Sequence, residues 1–353
     1  MRAKHGLVIG KFYPPHDGHA LLVRTAAEQS ERVTVIAMAA TVESIPLETR
    51  LGWLREIHAA EPNVRVVGTV DDVPVNYADD AVWQAHVELM RAALQYDAPV
   101  DAVFTSEPYG DELARRLGAR HVSVDPSRSG RPVSGTKVRA DPPGHWQHLA
   151  PCVRAWFSRR LVIIGAESTG KSTLAAELAR RLGTVWVPEH GRDYTEEKLA
   201  ALRRARPDAP MEELTWSTDD FVAIARAQQR LEDEAARRSG PVLVCDTDTF
   251  TTGVWHERYM GVRAPAVEQL AAAATASRRY LLTHPDDVPF EQDGIRDGEH
   301  LRAWMTETFV RRLSQTGRPW QWLRGSREQR LELAVAAAKV WLAEGWQLAA
   351  PLG

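Results

Sequence analysis

The chain is poor in cysteine. Of 353 residues only Cys152 and Cys245 carry a thiol. Neither has a Cys or His partner at ligand spacing, which excludes a disulfide framework and a cysteine zinc site and suits a reducing compartment. No stretch approaches the run of about 18 apolar residues that crosses a bilayer. The opening MRAKHGLVIGKF offers only Leu-Val-Ile before a lysine, too short a core for a signal peptide. Charge of one sign is lacking too: 44 Lys and Arg stand against 47 Asp and Glu, a formal net charge of -3. There is therefore no basic footprint for nucleic acid. Internal repeats and low-complexity tracts are absent. What is left is a cytoplasmic globular chain, without membrane insertion or a nucleic-acid partner. Its 44% hydrophobic and 26% charged residues are ordinary for that class, and its length suggests two domains.

The most specific stretch is LVIIGAESTGKSTL, residues 161–174. Leu161 to Ile164 read as a short buried strand. Gly165-Ala166-Glu167-Ser168-Thr169-Gly170-Lys171-Ser172 fits G-x-x-x-x-G-K-[ST] at every fixed position. From Thr173 onward Leu174, Leu178 and Leu182 recur at helical spacing. Strand, glycine loop and helix are the context a phosphate cradle needs. Backbone N–H groups and the helix N-terminus favour anionic oxygens. Lys171 is expected to reach the β/γ-phosphates, and Ser172 to hold Mg²⁺. This loop starts after some 160 residues, so a further domain is expected upstream.

That upstream half alternates strands and helices. Strands are expected at 6–10, 33–40, 64–70, 101–107 and 121–125, and helices from Gly18-His19 and at 49–61, 80–94 and 111–118. The alternation predicts a doubly wound α/β fold with a parallel sheet. Its ligands should lie at the carboxyl ends of the strands. Polar residues cluster there: His16 and His19 after the first strand, Thr105 and Ser106 ending another, Asp125 and Arg128 after the last. His16-x-Gly18-His19 sets two imidazoles at a helix opening, a triphosphate site. Ser134-Gly135-Thr136-Lys137-Val138-Arg139 reads as a second helix start with caps and phosphate-binding charge.

GKFYPPHDGH and VSGTKVR together resemble the nucleotidyltransferase superfamily. With TRLGWL, VFTSEP, VDPSR, the P-loop, PEHGRDY and CDTDTFTT in this order, the resemblance narrows to the NadR-type family. These are bifunctional nicotinamide-nucleotide adenylyltransferase/ribosylnicotinamide kinases, and the likeness runs from about residue 6 to about 313. It implies two domains. A Rossmann-like nucleotidyltransferase fold would span 1–145, a linker 146–159 and a P-loop kinase fold 160–353, both with parallel sheets. Asp17 stands where Thr is common, and Gly135 occupies a small-residue position. Some members carry an N-terminal helix-turn-helix repressor; with a strand expected at residue 6, that role is not carried over.

The resemblance implies that ATP adenylylates nicotinamide mononucleotide, giving NAD and pyrophosphate. The nucleophile is a phosphate oxygen already ionised near neutral pH, so catalysis is alignment and charge neutralisation. His16, His19 and Lys11 are assigned to the triphosphate, within the loop that also carries Phe12 and Tyr13. Ser134, Thr136 and Arg139 clamp the leaving pyrophosphate. Arg50 is a candidate for the mononucleotide phosphate, Asp125 and Arg128 for the adenosine. Trp53 or Trp83 stacks on the nicotinamide ring or fills the core.

In the second half, residues 184–194 read as a strand ending at Glu189. A long helix follows at 217–239, and 241–255 reads as a buried strand ending on Asp246 and Asp248. Further on come a strand at 279–284 and a helix at 323–345. A kinase acting on a hydroxyl needs a carboxylate to take its proton. Asp246, first choice for the 5′-hydroxyl or Mg²⁺, and Glu189 are the two candidates. Thr247 and Asp248 stand beside Asp246, and the resemblance assigns Glu189 and Arg192 to the ribose. Asp293-Gly294-Ile295-Arg296 reads as a lid whose Arg296 closes on the transferred phosphate. The expected partners are small molecules (nicotinamide riboside, its mononucleotide, ATP), and a homo-oligomer and a functional link to a riboside transporter are expected. Two alternatives stand: a phosphopantetheine adenylyltransferase/dephospho-coenzyme A kinase fusion, and a low-turnover NAD or ATP sensor.

Overall fold

A computed structural model describes residues 2–95, 99–127, 129–274, 277–293, 296 and 298–352. The chain divides into two compact units, Met1–Val153 with Gly345–Gly353, and Arg154–Glu344. The division differs from the expected 160–353 second domain: residues 345–353 return to the first unit. The expected linker is ordered as a 3₁₀ turn, Pro143–His148, and helix α6, Pro151–Phe157.

The first unit contains β1 (Ala3–Gly10), α1 (Asp17–Gln29), β2 (Ser30–Ala39), α2 (Leu47–Ile57), β3 (Val64–Val70), α3 (Asp80–Leu94), β4 (Ala102–Thr105), α4 (Gly110–Leu117), β5 (Arg120–Ser123) and α5 (Gly135–Ala140). The strands form one parallel sheet in the order β3-β2-β1-β4-β5. Alternate residues of each strand feed opposite cores. Val8, Val35 and Phe104 pack with Leu22, Val23 and Leu54 on one face. Leu7, Ile36 and Val103 pack with Trp83, Val87 and Leu113 on the other. The chain reverses its direction across the sheet between β1 and β4, so a crevice opens at their carboxyl ends.

The second unit contains β6 (Arg159–Ile164), α7 (Lys171–Leu182), β7 (Trp186–Val187), α8 (His190–Ala205), α9 (Thr218–Ala236), β8 (Val242–Asp246), α10 (Thr249–Met260), α11 (Pro265–Ala273), β9 (Arg278–Thr283), α12 (Arg302–Thr316), β10 (Trp320–Leu323) and α13 (Arg327–Ala343). Its parallel sheet runs β10-β9-β6-β8-β7. Val162, Ile164 and Leu282 face α10 and α12 through Phe250, Val254 and Phe309. Leu161, Ile163 and Val244 face α7 and α13 through Leu174, Leu178 and Trp341.

Two expected strands end early. Residues 190–194 are helix, not strand, because EEKLAALRRA is built from good helix formers that outweigh the apolar TVWV before it. Residues 249–255 are helix too. Their threonines, valine and tryptophan mimic a strand, but Asp248 accepts the Thr251 N–H at 3.0 Å and starts α10 there.

Candidate active sites

In the second unit the P-loop joins β6 to α7. Gly165 and Gly170 sit at φ +154° and +78°, backbone that side chains resist. A Cβ on Gly165 would lie 2.1 Å from Thr283 Oγ1. Thr169 Oγ1 accepts from Thr283 Oγ1 at 2.7 Å and donates to the Ala166 carbonyl. Arg330, from α13, donates to the Thr169 carbonyl at 2.8 Å. Lys171 is buried and donates to the Ala166 carbonyl at 2.9 Å. Lys171 therefore lies along the loop that is to hold phosphate.

This loop is the floor of a cavity of about 170 Å³. Residues 167–173, Glu189, Arg192, Thr247 and Arg296 all line it. Gln228, buried in α9, accepts the His190 N–H at 2.9 Å and donates to the Pro188 carbonyl, which fixes the turn carrying Glu189. Burial pushes the Glu189 carboxyl up to about 7. Asp246 and Glu167 add to the shift, and Lys171 and Arg192 oppose it. Arg192 and Arg296 share Asp293, at 2.9 and 3.4 Å, and Arg296 reaches Ser168 Oγ at 3.4 Å. Ser168 also accepts the Glu291 N–H at 2.8 Å and reaches the Pro289 carbonyl at 3.4 Å, so Pro289, Glu291 and Arg296 lie against the P-loop. Glu167 is held by Arg258 at 2.6 Å and by the Gly298 N–H at 2.8 Å. Of the expected lid, Gly294 and Ile295 lie outside the described residues.

The two carboxylates of C-D-T-D separate. Asp246 is 1% exposed and among the described residues neither of its oxygens has a hydrogen-bond partner of good geometry. Burial raises its pKa against the pull of Lys171 and the Ser172 hydroxyl. An orphaned buried carboxylate next to the P-loop serine fits a divalent cation. Mg²⁺ needs only one or two protein oxygens besides phosphate and water. That agrees with the lack, among the described residues, of a cluster of three or more His, Cys, Asp or Glu. Asp248 corrects the expectation placed on it. It is fully buried, caps α10 through Thr251, accepts the Tyr280 hydroxyl at 2.8 Å, and does not line the cavity.

The motifs did not single out the apolar side of this cavity. Trp216, Phe221, Trp255 and Tyr259 line it. Trp216 lies 5.1 Å from the Tyr259 ring and 5.4 Å from that of Phe221. The signal was the frequency of tryptophan, 12 in all, without a spacing to place it.

In the first unit, a cavity of about 430 Å³ opens at the carboxyl ends of β1 and β4. Lys11, Phe12, Tyr13, His16, Gly18, His19, Ser106, Asp125, Ser134, Gly135, Thr136 and Arg139 all line it. His16 caps α1, its Nδ1 accepting the Gly18 N–H at 3.1 Å, and its ring stacks on His19 at 3.8 Å. Arg139 donates to the Tyr13 carbonyl at 2.7 Å and lies 4.9 Å from the centre of the Tyr13 ring. This ties the late loop to the early one. Gly135 approaches closely here: a Cβ would sit 3.0 Å from the Tyr13 carbonyl. Asp125 is opposed by its own burial, yet N–H donors from Gly130, Arg131 and Ser129 hold its carboxyl below the usual range.

Two assigned residues are braces. Arg50 is fully buried, pairs with Glu43 at 2.6 Å and donates to the Ile45 and Lys11 carbonyls. It holds the β1 loop from behind and is not on the cavity wall. Thr105 Oγ1 donates to the Glu107 carbonyl and pairs with His121, both at 2.9 Å, and is likewise off the wall. Trp53 is core, while Trp83 lines the cavity. Arg128 lies outside the described residues. Glu107, which closes the expected T-S-E strand end, lines the cavity too; Asp71, Asn76, Tyr77, His86, Tyr109 and Arg131 also line it and were not picked out, since they belong to no motif.

A family model described as an AAA domain matches residues 160–330. The trifunctional NAD biosynthesis/regulator protein NadR of Escherichia coli (strain K12) is 28% identical over 306 residues, 82% of this chain and 71% of that protein. A crystal structure of NadR protein in complex with NR superposes with TM-score 0.75 at 22% identity, covering 97% of both chains. Another, in complex with NAD and AMP-PNP, gives 0.73 at 22% identity and covers 98% of both. The chain is a homologue of the NadR proteins over four fifths of its length.

Proposed function

We propose that the chain is a bifunctional NAD salvage enzyme. Its second unit, of P-loop kinase type, phosphorylates nicotinamide riboside with ATP. Its first unit, of Rossmann-like nucleotidyltransferase type, adenylylates the resulting mononucleotide to NAD. The observation that carries this reading is the second unit's cavity. It joins a P-loop, a carboxylate and an aromatic wall in a space suited to a small nucleoside, not a protein or nucleic acid. The relatives named for NAD biosynthesis support it. So do the solved neighbours in complex with NR and with NAD and AMP-PNP.

In the kinase step, Trp216, Trp255 and Tyr259 hold the pyridinium ring, a cation that aromatic faces attract. Arg192 orients the ribose. Glu189, on the cavity wall with its raised carboxyl, takes the proton from the 5′-hydroxyl as that oxygen attacks the γ-phosphorus. The bond to the β-phosphate oxygen breaks and ADP leaves. Lys171 and Arg296 neutralise charge on the transferred group. Ser172 and Asp246 would hold Mg²⁺, which supplies further neutralisation of the phosphates. In the adenylyl step a mononucleotide phosphate oxygen attacks the α-phosphorus and pyrophosphate leaves. His16, His19 and Lys11 align the triphosphate; Ser134, Thr136 and Arg139 receive the leaving group. The coenzyme A reading lacks a role for the aromatic wall, and a silent sensor has no need of a carboxylate tuned to about 7.

Incubation with ATP and nicotinamide riboside should yield the mononucleotide and then NAD. Lys171→Ala should abolish the first product while leaving added mononucleotide convertible to NAD, and His19→Ala should do the reverse. If either single change silenced both reactions in a folded protein, the two-site account would fail.

A further inference from the structure

The wall of the first unit's cavity built by residues 71–90 has no phosphate-binding character. It presents Asp71, Asn76, Tyr77, Trp83, His86 and Met90. The lysine and arginines of the cavity, Lys11, Arg131 and Arg139, come from other segments. Trp83 and Tyr77 make this wall aromatic, their rings 5.7 Å apart, as a flat heterocycle requires.

One pair on this wall is set with unusual definition. His86 Nδ1 lies 2.9 Å from Asp71 Oδ2. Asp71 is itself fixed, since its other oxygen accepts the Val73 N–H at 3.1 Å and its own N–H donates to the Ala39 carbonyl at 2.9 Å. An ionised carboxylate only accepts, so His86 Nδ1 carries the hydrogen, and in the neutral ring Nε2 is left with a lone pair. That Nε2 is buried and has no hydrogen-bond partner among the described residues. A buried acceptor without a donor is costly unless a ligand supplies one. The adenylyl-transfer mechanism given above makes no use of it.

We propose that His86 is the specificity residue that reads the substituent of the nucleotide's pyridine ring, with Asp71 as its positioning residue. Nε2 accepts an amide N–H of a ring carboxamide. A ring carboxylate has no hydrogen to offer and meets the Nε2 lone pair, with the Asp71 and Glu107 carboxylates on the same cavity adding like charge. The pair thus selects the nicotinamide over the nicotinic acid mononucleotide. This rests on the adenylyl-transfer reading of the first unit.

The test is kcat/KM for adenylylation of each mononucleotide by the full chain. Wild type should favour the carboxamide form. His86→Ala should narrow that preference about tenfold or more, the size of one lost buried hydrogen bond, through the carboxamide substrate. The KM for ATP and riboside phosphorylation should stay within about twofold. His86→Leu, closer in volume, should behave alike and guards against collapse of the wall. His86→Gln should retain most of the preference, because its carbonyl can accept the same N–H. A wild type that uses both forms equally, or a folded His86→Ala and His86→Leu that keep the wild-type ratio, overturns the proposal. A wild type that adenylylates neither form overturns the adenylyl-transfer reading and the proposal with it, and is a distinct result.

Discussion

Tyr13 Oη donates to the carbonyl of Ala349 at 2.9 Å, across 336 positions of sequence. The same phenol accepts the Ser44 N–H at 3.0 Å, and Ser44 Oγ accepts the Ala349 N–H at 2.8 Å. Lys11 Nζ donates to the Leu352 carbonyl, and Pro351 reaches the cavity wall. The segment after α13 therefore belongs to the adenylyl-transfer unit.

Deleting residues 348–353 removes these bonds and part of the wall. With a hydrogen bond contributing about 0.5–1.5 kcal/mol, kcat/KM for adenylyl transfer should fall roughly three- to tenfold. Riboside phosphorylation should be unchanged. Assays of both half-reactions on the truncated chain check this; a loss confined to phosphorylation would reject the assignment.

Glu189 gives the kinase a pH signature. Its carboxyl is pushed up to about 7 by burial, with Asp246 and Glu167 adding to the shift. Only the ionised form accepts a proton, so kcat/KM for the riboside should fall about tenfold per unit below pH 7. Adenylyl transfer should hold until its phosphate nucleophile protonates near the ordinary value of about 6. Glu189→Gln should cost about 10²–10⁴ in phosphorylation and flatten the acid limb. Stability runs the other way. A raised carboxyl favours the neutral form, so its contribution is full below the ordinary carboxylate range and is lost as pH rises through about 7. The melting temperature of Glu189→Gln should accordingly gain on wild type between pH 4.5 and 7.5.

Strands buried on both faces made both sheets legible, because continuous apolar runs such as Leu161 to Ile164 survive any misjudged boundary. The phosphate loops were legible because glycine and cap positions are fixed along the chain: His16, Gly135 and Gly165 stand where their motifs put them. Arg50 and Thr105 misled because a motif position does not reveal which way a side chain turns. Asp248 misled because two positions beyond Asp246 the strand has already ended and the carboxylate caps the next helix. His86 and Trp216 were silent because no motif spacing ties His86 to Asp71, 15 positions away, or Trp216 to the Tyr259 ring on α10.

Behind the second unit's sheet, Arg278 serves two buried carboxylates. It lies 2.5 Å from Glu232 and 3.8 Å from Asp248. Burial pushes the Glu232 carboxyl up to about 7, with Arg278 opposing. Arg278→Met leaves both carboxylates buried without their cation and should destabilise the unit by about 3–5 kcal/mol. The deficit should shrink near pH 5, where Glu232 can take a proton. Adding Glu232→Leu should restore part of the loss. Thermal unfolding of the single and double variants at pH 5 and 7.5 measures all three effects.

Arg296 is the last test of the kinase site. Its guanidinium donates to Ser168 Oγ at 3.4 Å and to the Glu291 carbonyl at 2.7 Å, and it pairs with Asp293, which Arg192 also holds. It therefore sits on the P-loop, where a transferred phosphate would meet it. If it neutralises that phosphate, Arg296→Ala should lower kcat for phosphorylation by on the order of 10³ with a much smaller change in KM. Arg296→Lys should recover only a small part, because an ammonium cannot span two oxygens as the planar fork does. Adenylyl transfer, measured on the same preparation, should be unaffected. A change below about tenfold would leave Arg296 as a surface partner of Asp293 and pass charge neutralisation to Lys171 alone.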